Sequence, residues 1–203
     1  MMQNVIFDLD DFCGTPDRNC IEDLLSIKTK FPKFKATLFA IPFYQDKYQS
    51  RFFEAILEHH GDWIQLGIHG WTHDSNFECK DWDYQTAKKL ISKAYSMGVF
   101  QKLFKAPGWQ ISRDTYGVLK ELDFICADHK VSAYTEPGVP NSERRPKHLR
   151  VYEIDHPWMV HGHTWNCVGN GIQELLEGWR AGGFPFDEQT EWHFITDVMG
   201  QNV

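Results

Sequence analysis

Two histidines four residues apart are the first candidates for chemistry in this sequence. His69 and His73 lie in HGWTH, directly after the apolar run WIQLGI. Imidazoles at this spacing can face the same way, and neutral imidazole is a good ligand for zinc and similar ions. A pair of surface histidines is the alternative interpretation. His59 and His60, next to Gly61, are such a pair, and we assign them to a helix end.

The second candidate segment is FDLDDFCG (7–14), in which Asp10 and Asp11 end a predicted strand. Adjacent residues of a strand point to opposite faces, so one carboxylate could bind a metal while the other accepts a proton. Two histidines and one aspartate leave a coordination position open for water, as a catalytic metal site requires. An Asp-rich turn that leads into a helix is the alternative.

Two further segments, FKAPGWQIS (104–112) and HPWMVHGHTWN (156–166), also follow predicted strands. Lys105 could hold a catalytic carboxylate by a charge-assisted hydrogen bond, or belong to a proline turn with a packed tryptophan. His161 and His163 close an apolar strand and could supply a general acid, because imidazole titrates near neutrality. Each of these histidines could equally be buried without a ligand.

Alternating strands and helices would bring these four segments together. Hydrophobic spacing predicts strands at 5–10, 35–41, 63–68, 102–106 and 124–128. It predicts helices at 20–31, 50–61, 83–98 and 112–123, the last with Ser112 as a possible N-cap. After a polar loop over 129–149, RVYEI and PWMVHGH are predicted as extended, GIQELLEGWRAGG as helical and EWHFITDVMG as either. The alternation predicts a parallel sheet in one α/β domain over residues 1–203, with ligands at the carboxyl ends of the strands.

Composition and charge narrow the class of protein. A net charge of -7 leaves no excess of Lys and Arg for a phosphate backbone, so we expect no nucleic-acid partner. The basic run SERRPKHLR (142–150) is expected to be a solvated loop rather than a clamp for an anionic substrate. Five cysteines without C-x-x-C spacing predict free thiols in a reducing compartment. MMQNVIFDLDD lacks the features of a secretory signal, and no apolar run approaches the ~18–20 residues of a membrane span. We therefore expect a cytoplasmic protein without an integral membrane segment.

The ordered set of segments resembles the polysaccharide deacetylase family, the carbohydrate esterase family 4 with the NodB homology domain. FDLDDF is similar to its Thr-Phe-Asp-Asp motif, and HGWTH to its His-(Ser/Thr)-x-x-His motif, with Gly70 in place of Ser or Thr. KAPGW is similar to its Arg-x-Pro motif, with Lys105 in place of Arg, and WMVHGH to its last motif, an apolar strand ending in a histidine. Asp128 in CADHK is a faint counterpart of a fourth motif, an Asp near a Trp. The resemblance extends over roughly residues 5–165.

The resemblance implies a fold and a metal centre. The fold is a single-domain distorted (β/α) barrel of the NodB type. One divalent metal ion would be held by Asp11, His69 and His73. Zn²⁺ suits these ligands best, although Co²⁺, Ni²⁺, Fe²⁺ and Mn²⁺ suit them too.

The resemblance also implies a reaction, the metal-assisted hydrolysis of an amide or ester. Asp10 would take the proton of the attacking water, and Lys105 would hold Asp10 in place, without the planar fork of an arginine. His161 would protonate the leaving amine, with His163 as the second candidate for that role or as a substrate contact.

The implied substrate is an N-acetylated or O-acetylated sugar or glycan precursor. Four tryptophans lie beside the motifs: Trp71, Trp109, Trp158 and Trp165. A sugar ring could stack on one of them, although core packing is the commoner role of a tryptophan side chain. Two other functions remain open. One is an amidohydrolase for a small non-sugar amide, and the other is an inactive domain that binds carbohydrate or metal, to which the Lys105 substitution points. The sequence leaves the oligomeric state open.

Overall fold

The computed structural model describes residues 5–130, 140–154, 159–169 and 191–200, with individual positions between 171 and 190. Its strands are β1 (Val5–Phe12), β2 (Ala36–Ala40), β3 (Phe43–Tyr44), β4 (Lys47–Tyr48), β5 (Ile64–His69), β6 (Leu103–Lys105), β7 (Ile125–Asp128), β8 (Arg150–Glu153), β9 (Met159–His163) and β10 (Trp192–His193). Its helices are α1 (Ile21–Lys30), α2 (Ser50–His60), α3 (Tyr84–Tyr95), α4 (Arg113–Glu121), α5 (Asn141–Arg144) and α6 (Ile195–Gly200). Within these ranges, no helix has the length and apolar content to cross a bilayer.

Eight strands of the described chain form one sheet, and every pairing in it is parallel. The strand order is β10-β1-β2-β5-β6-β7-β8, and β9 also pairs with β1. The two short strands β3 and β4 form a separate antiparallel hairpin. The α/β barrel-type fold predicted from the sequence is therefore confirmed.

The sheet is strongly curled, and a contact between side chains of β1 and β6 shows it. These strands are separated by β2 and β5, so in a flat sheet they would lie about 14 Å apart. Yet Lys105 Nζ is 2.5 Å from Asp8 Oδ2. The polar residues on the concave face of the curl therefore meet in its interior.

Two apolar layers hold this curl. On β1, Phe7 and Leu9 belong to the larger cluster, which packs the sheet against the helices. Ile6 points the other way, into a smaller cluster with Phe39 and Leu103 inside the curl. Alternation along the strand places Asp8 and Asp10 on this inner side as well.

All nine elements predicted between residues 5 and 128 are present, with ends that differ by at most three residues. Ser112 caps α4 as predicted, since its Oγ accepts a hydrogen bond of 3.0 Å from the Thr115 N–H. The ambiguous segment 191–200 contains both a strand, β10, and a helix, α6. The helix predicted over 171–183 lies largely outside the described residues, and the extent of the single domain stays a prediction.

One short hairpin was not predicted, and one expectation about a loop is wrong in part. The hairpin of β3 and β4 was not expected, because strands of two residues are too short to show an alternating pattern. The basic run 142–150 is only partly solvated: Lys147 and His148 are exposed, but Arg144 is buried and the Arg145 guanidinium lies 2.9 Å from the buried Asp128 carboxylate. The counter-charge comes from β7, which the local sequence does not reveal.

Candidate active site

A bulge at the end of β1 brings two adjacent carboxylates to one cleft. The pairing of β1 with β2 shifts register between Leu9 and Phe12, and Asp11 has a φ of 70°. A β-bulge of this kind re-aims a side chain that regular alternation would send to the other face. Asp10 and Asp11 therefore both line the cleft, where alternation alone predicts that they point to opposite faces.

Asp11 meets the two histidines of HGWTH in a compact group. Its Oδ1 is 2.8 Å from His73 Nε2 and 3.4 Å from His69 Nε2. His69 donates its Nδ1–H to the Lys105 carbonyl over 3.0 Å, so Nε2 is the ring nitrogen that faces Asp11. Asp11 Oδ1 is buried without a well-aligned hydrogen bond. Three ligand atoms within 4.8 Å of one another therefore fit a divalent metal ion with an open coordination position.

The charges around Asp11 favour a cation at this point. Burial alone would raise the pKa of Asp11, but hydrogen bonds from His163, His69 and His73 hold it well below its usual range. The pKa of His73 is raised above its ordinary value, because the Asp11 carboxylate outweighs the effect of burial. The buried Asp11 carboxylate thus favours positive charge beside it, which a bound cation would supply.

The turn between the two histidines depends on Gly70 and on Glu78. Gly70 has a φ of +62°, and a Cβ there would lie 1.8 Å from Glu78 Oε1. Glu78 accepts hydrogen bonds from the backbone N–H groups of Trp71 (2.6 Å) and Thr72 (3.2 Å). A carboxylate from a neighbouring turn thus supports the loop, in the space that a side chain at position 70 would need.

Lys105 is fully buried and lies at the centre of a second group of polar side chains. Its Nζ is 2.8 Å from Asp10 Oδ1 and 2.5 Å from Asp8 Oδ2, and the Trp109 ring centroid is 4.3 Å away. The contact between Lys105 and Asp10 that the sequence predicts is therefore present. Burial alone would raise the pKa of Asp8, but the Lys105 ammonium and His161 hold it below its ordinary value.

The two histidines of β9 occupy different surroundings. In the pairing with β1, His161 lies beside Asp8, and His163 lies beside Asp10. His161 Nδ1 is 2.9 Å from Asp8 Oδ1, and its Nε2 is 3.9 Å from Asp10 Oδ2. His163 Nδ1 is instead 2.9 Å from Asp11 Oδ2, which raises the pKa of His163. His161 thus contacts the Lys105 group, whereas His163 contacts Asp11, one of the predicted metal ligands.

The cleft between these groups has a volume of about 390 Å³, and two of the predicted tryptophans line it. Trp109 forms one wall, and Trp165, 54% exposed, stands at the edge. Trp71 does not reach the cleft, so its assignment as a substrate contact is wrong. Its ring is buried and stacks on Phe43 at 5.7 Å, because the turn at Gly70 directs it into the core. Trp158 lies outside the described residues.

Asp8 and Arg18 are among the polar residues at the site that were not found from the sequence. Asp8 precedes Asp10 by two positions, and this spacing on one strand face is the signal that could have identified it. Arg18 lines the cleft with Nη1 3.5 Å from Asp11 Oδ1 and its guanidinium 5.0 Å from the Tyr44 ring centroid. It belongs to a loop with no motif of its own.

Asp128, the faint counterpart of the fourth motif, is not part of this site. Its carboxylate accepts hydrogen bonds from the Tyr116 hydroxyl (2.5 Å), the Arg145 guanidinium (2.9 Å) and the His129 backbone N–H (2.8 Å). These contacts tie the end of β7 to the segment around α5. Asp128 therefore has a structural role.

The fold is shared with solved structures of low sequence identity. One is a mutant of a CE4 family pseudoenzyme with restored enzymatic activity, whose wild-type form comes from Bacillus anthracis; the TM-score is 0.62 at 17% identity, over 98% of this chain and 68% of that one. Another is a family 4 carbohydrate esterase from Streptomyces lividans in complex with acetate, with a TM-score of 0.55 at 13% identity over 89% of each chain.

A third similar structure has a different activity. It is a 4-alpha-glucanotransferase from Thermococcus litoralis, with a TM-score of 0.56 at 12% identity over 99% of this chain and 40% of that one. No protein-family profile and no curated protein matches the sequence. At these identities the similarity establishes the fold, and the function has to be argued from the site.

Proposed function

We propose that this chain is a metal-dependent deacetylase of the polysaccharide deacetylase type, acting on an N-acetylated sugar or glycan precursor. The observation that carries the proposal is the convergence of Asp11, His69 and His73 beside Asp10, a carboxylate held by the buried Lys105. A three-ligand metal set next to a fixed proton acceptor is the arrangement that metal-assisted hydrolysis needs. The similarity to a carbohydrate esterase and to a pseudoenzyme with restored activity supports the same reaction.

Each catalytic step can be assigned to a side chain. Asp11, His69 and His73 would hold a divalent ion, most simply Zn²⁺, which would polarise the acetyl carbonyl and acidify water when bound. Asp10 takes the proton of the water whose oxygen attacks the carbonyl carbon. The proton taken by Asp10 passes to His161 Nε2, which lies 3.9 Å from Asp10 Oδ2, and His161 gives it to the nitrogen as the carbon–nitrogen bond breaks. Lys105 holds the Asp10 carboxylate in place through its contact of 2.8 Å.

The walls of the cleft suit a sugar. Trp109 and Trp165 present aromatic surface beside the predicted metal, and an exposed indole can stack on the apolar face of a pyranose. His163, which also lines the cleft, is placed to contact the substrate or the acetyl group. An O-acetyl ester would fit the same chemistry, so the N-acetyl preference is part of the proposal.

The test is acetate release by the full chain after chelation and reloading with one metal at a time: Zn²⁺, Co²⁺, Ni²⁺, Fe²⁺ or Mn²⁺. The substrates are N-acetylglucosamine oligomers, an O-acetylated sugar and small non-sugar amides. We expect Asp10→Asn to retain one metal per chain and to lose at least about a hundredfold in rate. Asp62→Asn, at an exposed position, is the matched control and should keep the full rate.

Three outcomes would redirect the proposal. An Asp10→Asn variant with full metal and full rate would exclude Asp10 as the base. Hydrolysis of non-sugar amides alone would favour the amidohydrolase. Stoichiometric metal binding without hydrolysis of any acetylated substrate would favour an inactive binding domain, a role for which the similarity to a pseudoenzyme is a specific precedent.

We also propose that the protein works in the cytoplasm. All five cysteines are free and buried, as expected for a protein kept in a reducing compartment. Burial raises the pKa of Cys167 to about 11, so this thiol stays protonated at neutral pH. Fractionation of the native cells with thiol alkylation before lysis should place the chain with cytoplasmic markers, and recovery outside the cytoplasm would contradict this.

A further inference from the structure

Asp8 is a buried carboxylate that contacts His161, the assigned acid, and Lys105, which holds the assigned base. It does not contact the predicted metal ligands. It is fully buried, on the strand face that also carries Asp10. One oxygen, Oδ1, lies 2.9 Å from His161 Nδ1, and the other, Oδ2, lies 2.5 Å from Lys105 Nζ. Its neighbours therefore include both the residue assigned as the acid and the residue that holds the base.

The chemistry of these groups fixes the position of one proton. An ionised carboxylate can only accept hydrogen bonds, so a favourable contact at 2.9 Å requires the proton of His161 to be on Nδ1. Lys105 has two carboxylate acceptors and an aromatic face, since Asp10 Oδ1 is at 2.8 Å and the Trp109 centroid at 4.3 Å. Its contact of 3.2 Å with His161 Nδ1 is therefore not needed to satisfy the ammonium.

We propose that Asp8 is the positioning residue of this site: it holds His161 as the Nδ1–H tautomer, with Nε2 turned toward Asp10, and anchors the Lys105 that holds Asp10. This inference rests on the proposed function for its catalytic meaning. The placement itself follows from the contacts of Asp8. One carboxylate thereby sets the relative positions of the proton acceptor and the proton donor.

The same contact explains how a lysine can serve where the resembling family has an arginine. An arginine can engage a carboxylate with two parallel N–H groups, whereas an ammonium is a single point of charge. Here the ammonium of Lys105 contacts two carboxylates, Asp8 and Asp10, which lie two residues apart on β1. Lys105 is thus fixed by two single contacts, and Asp8 replaces the geometric restraint that the planar fork would give.

A simpler role for Asp8 is that of a counter-ion to a buried lysine. The variant Asp8→Asn separates the two roles. Lys105 can only donate, so it would keep the oxygen of the asparagine, and the amide NH₂ would face His161 Nδ1. That donor requires a bare Nδ1, so His161 should switch to the Nε2–H tautomer, whose Nε2 has no lone pair to take up the proton from Asp10.

The experiment is long-range ¹H–¹⁵N NMR of zinc-loaded protein labelled with ¹⁵N-histidine, at an alkaline pH where imidazole is neutral. We expect His161 to be Nδ1–H in the wild type and Nε2–H in Asp8→Asn. The kcat for acetate release should fall at least about a hundredfold, with KM and zinc stoichiometry changed less than about threefold. Asp128→Asn, a buried carboxylate elsewhere in the fold, should leave the His161 tautomer unchanged.

If Asp8→Asn does not fold, the pair Asp8→Leu/Lys105→Met removes both charges together, and His161 should again lose the Nδ1–H form. Retention of Nδ1–H in either variant would overturn the inference, as would a switched tautomer with an unchanged kcat. The NMR measurement needs no substrate. A wild-type protein that hydrolyses nothing would refute the proposed function and leave the placement of His161 to be decided by the tautomer.

Discussion

Replacing Gly70 by serine gives the loop the residue that the resembling family carries there, and we expect it to destabilise this protein. Gly70 has a φ of +62°, a region that residues with a Cβ adopt at a cost. Its Cβ would also lie 1.8 Å from Glu78 Oε1 and 2.8 Å from Pro107 Cγ. The Glu78 carboxylate would have to leave the backbone N–H groups of Trp71 and Thr72.

The magnitude follows from these two contributions. The left-handed backbone costs about 1–2 kcal/mol for a residue other than glycine. Losing hydrogen bonds to a charged acceptor costs about 1.5–3 kcal/mol each, reduced where water replaces the carboxylate. Gly70→Ser should therefore lower the free energy of unfolding by about 3–5 kcal/mol, a large share of the ~5–15 kcal/mol of a typical domain.

Urea denaturation of the metal-free protein measures this change, since bound metal would shift the unfolding equilibrium. Gly98→Ser is the matched control: φ is +76°, and nothing lies within 4 Å of its added Cβ. Gly98→Ser should lower the free energy of unfolding only by the cost of the left-handed backbone conformation, about 1–2 kcal/mol. Adding Glu78→Ala to Gly70→Ser should cost less than the two changes summed. A Gly70→Ser variant no less stable than Gly98→Ser would refute the reasoning.

Three further predictions concern the cleft. Metal affinity should rise with pH through neutrality, because the pKa of His73 is raised above its ordinary value in the metal-free protein and metal binding must release that proton. Calorimetry in two buffers of different protonation enthalpy measures the proton release. Metal binding without proton release near pH 6 would contradict the prediction. Arg18→Gln should tighten zinc binding several-fold in chelator competition, because it removes a positive charge 3.5 Å from Asp11 Oδ1; weaker binding would show that Arg18 instead orients Asp11. Trp165→Ala should raise KM with kcat nearly unchanged, whereas Trp71→Ala should lower the free energy of unfolding by about 3–5 kcal/mol. A destabilised Trp165→Ala together with a raised KM in Trp71→Ala would contradict the roles assigned to the two rings.

The regular elements of the first 128 residues were predictable because their hydrophobic periods are clear over five or more residues in most of them. The convergence of Asp11, His69 and His73 was predictable too. Each of these residues follows or ends a predicted strand, and parallel strands present their carboxyl ends at one edge. The hairpin of β3 and β4 has no such signal, since each strand has only two residues.

What could not be predicted depends on contacts between distant parts of the chain. In the sequence, Asp8 is a single polar residue within an apolar strand. Its role becomes visible only in the fold, where β6 and β9 place Lys105 and His161 beside it. The direction of the Trp71 ring is decided by the positive φ of Gly70, which no local pattern encodes. The Arg145 guanidinium packs inward rather than into solvent because Asp128, on another element, supplies its counter-charge.

Titration of zinc into chelator-treated protein, with the rate of acetate release from an N-acetylglucosamine oligomer as the signal, tests metal-dependent deacetylation most directly. We expect the rate to rise linearly and to break at one equivalent of zinc per chain. Asp11→Asn should show neither tight binding nor appreciable rate, because it removes a ligand that contacts both His69 and His73. A rate that survives complete metal removal, or an unchanged titration in Asp11→Asn, would contradict the proposed centre.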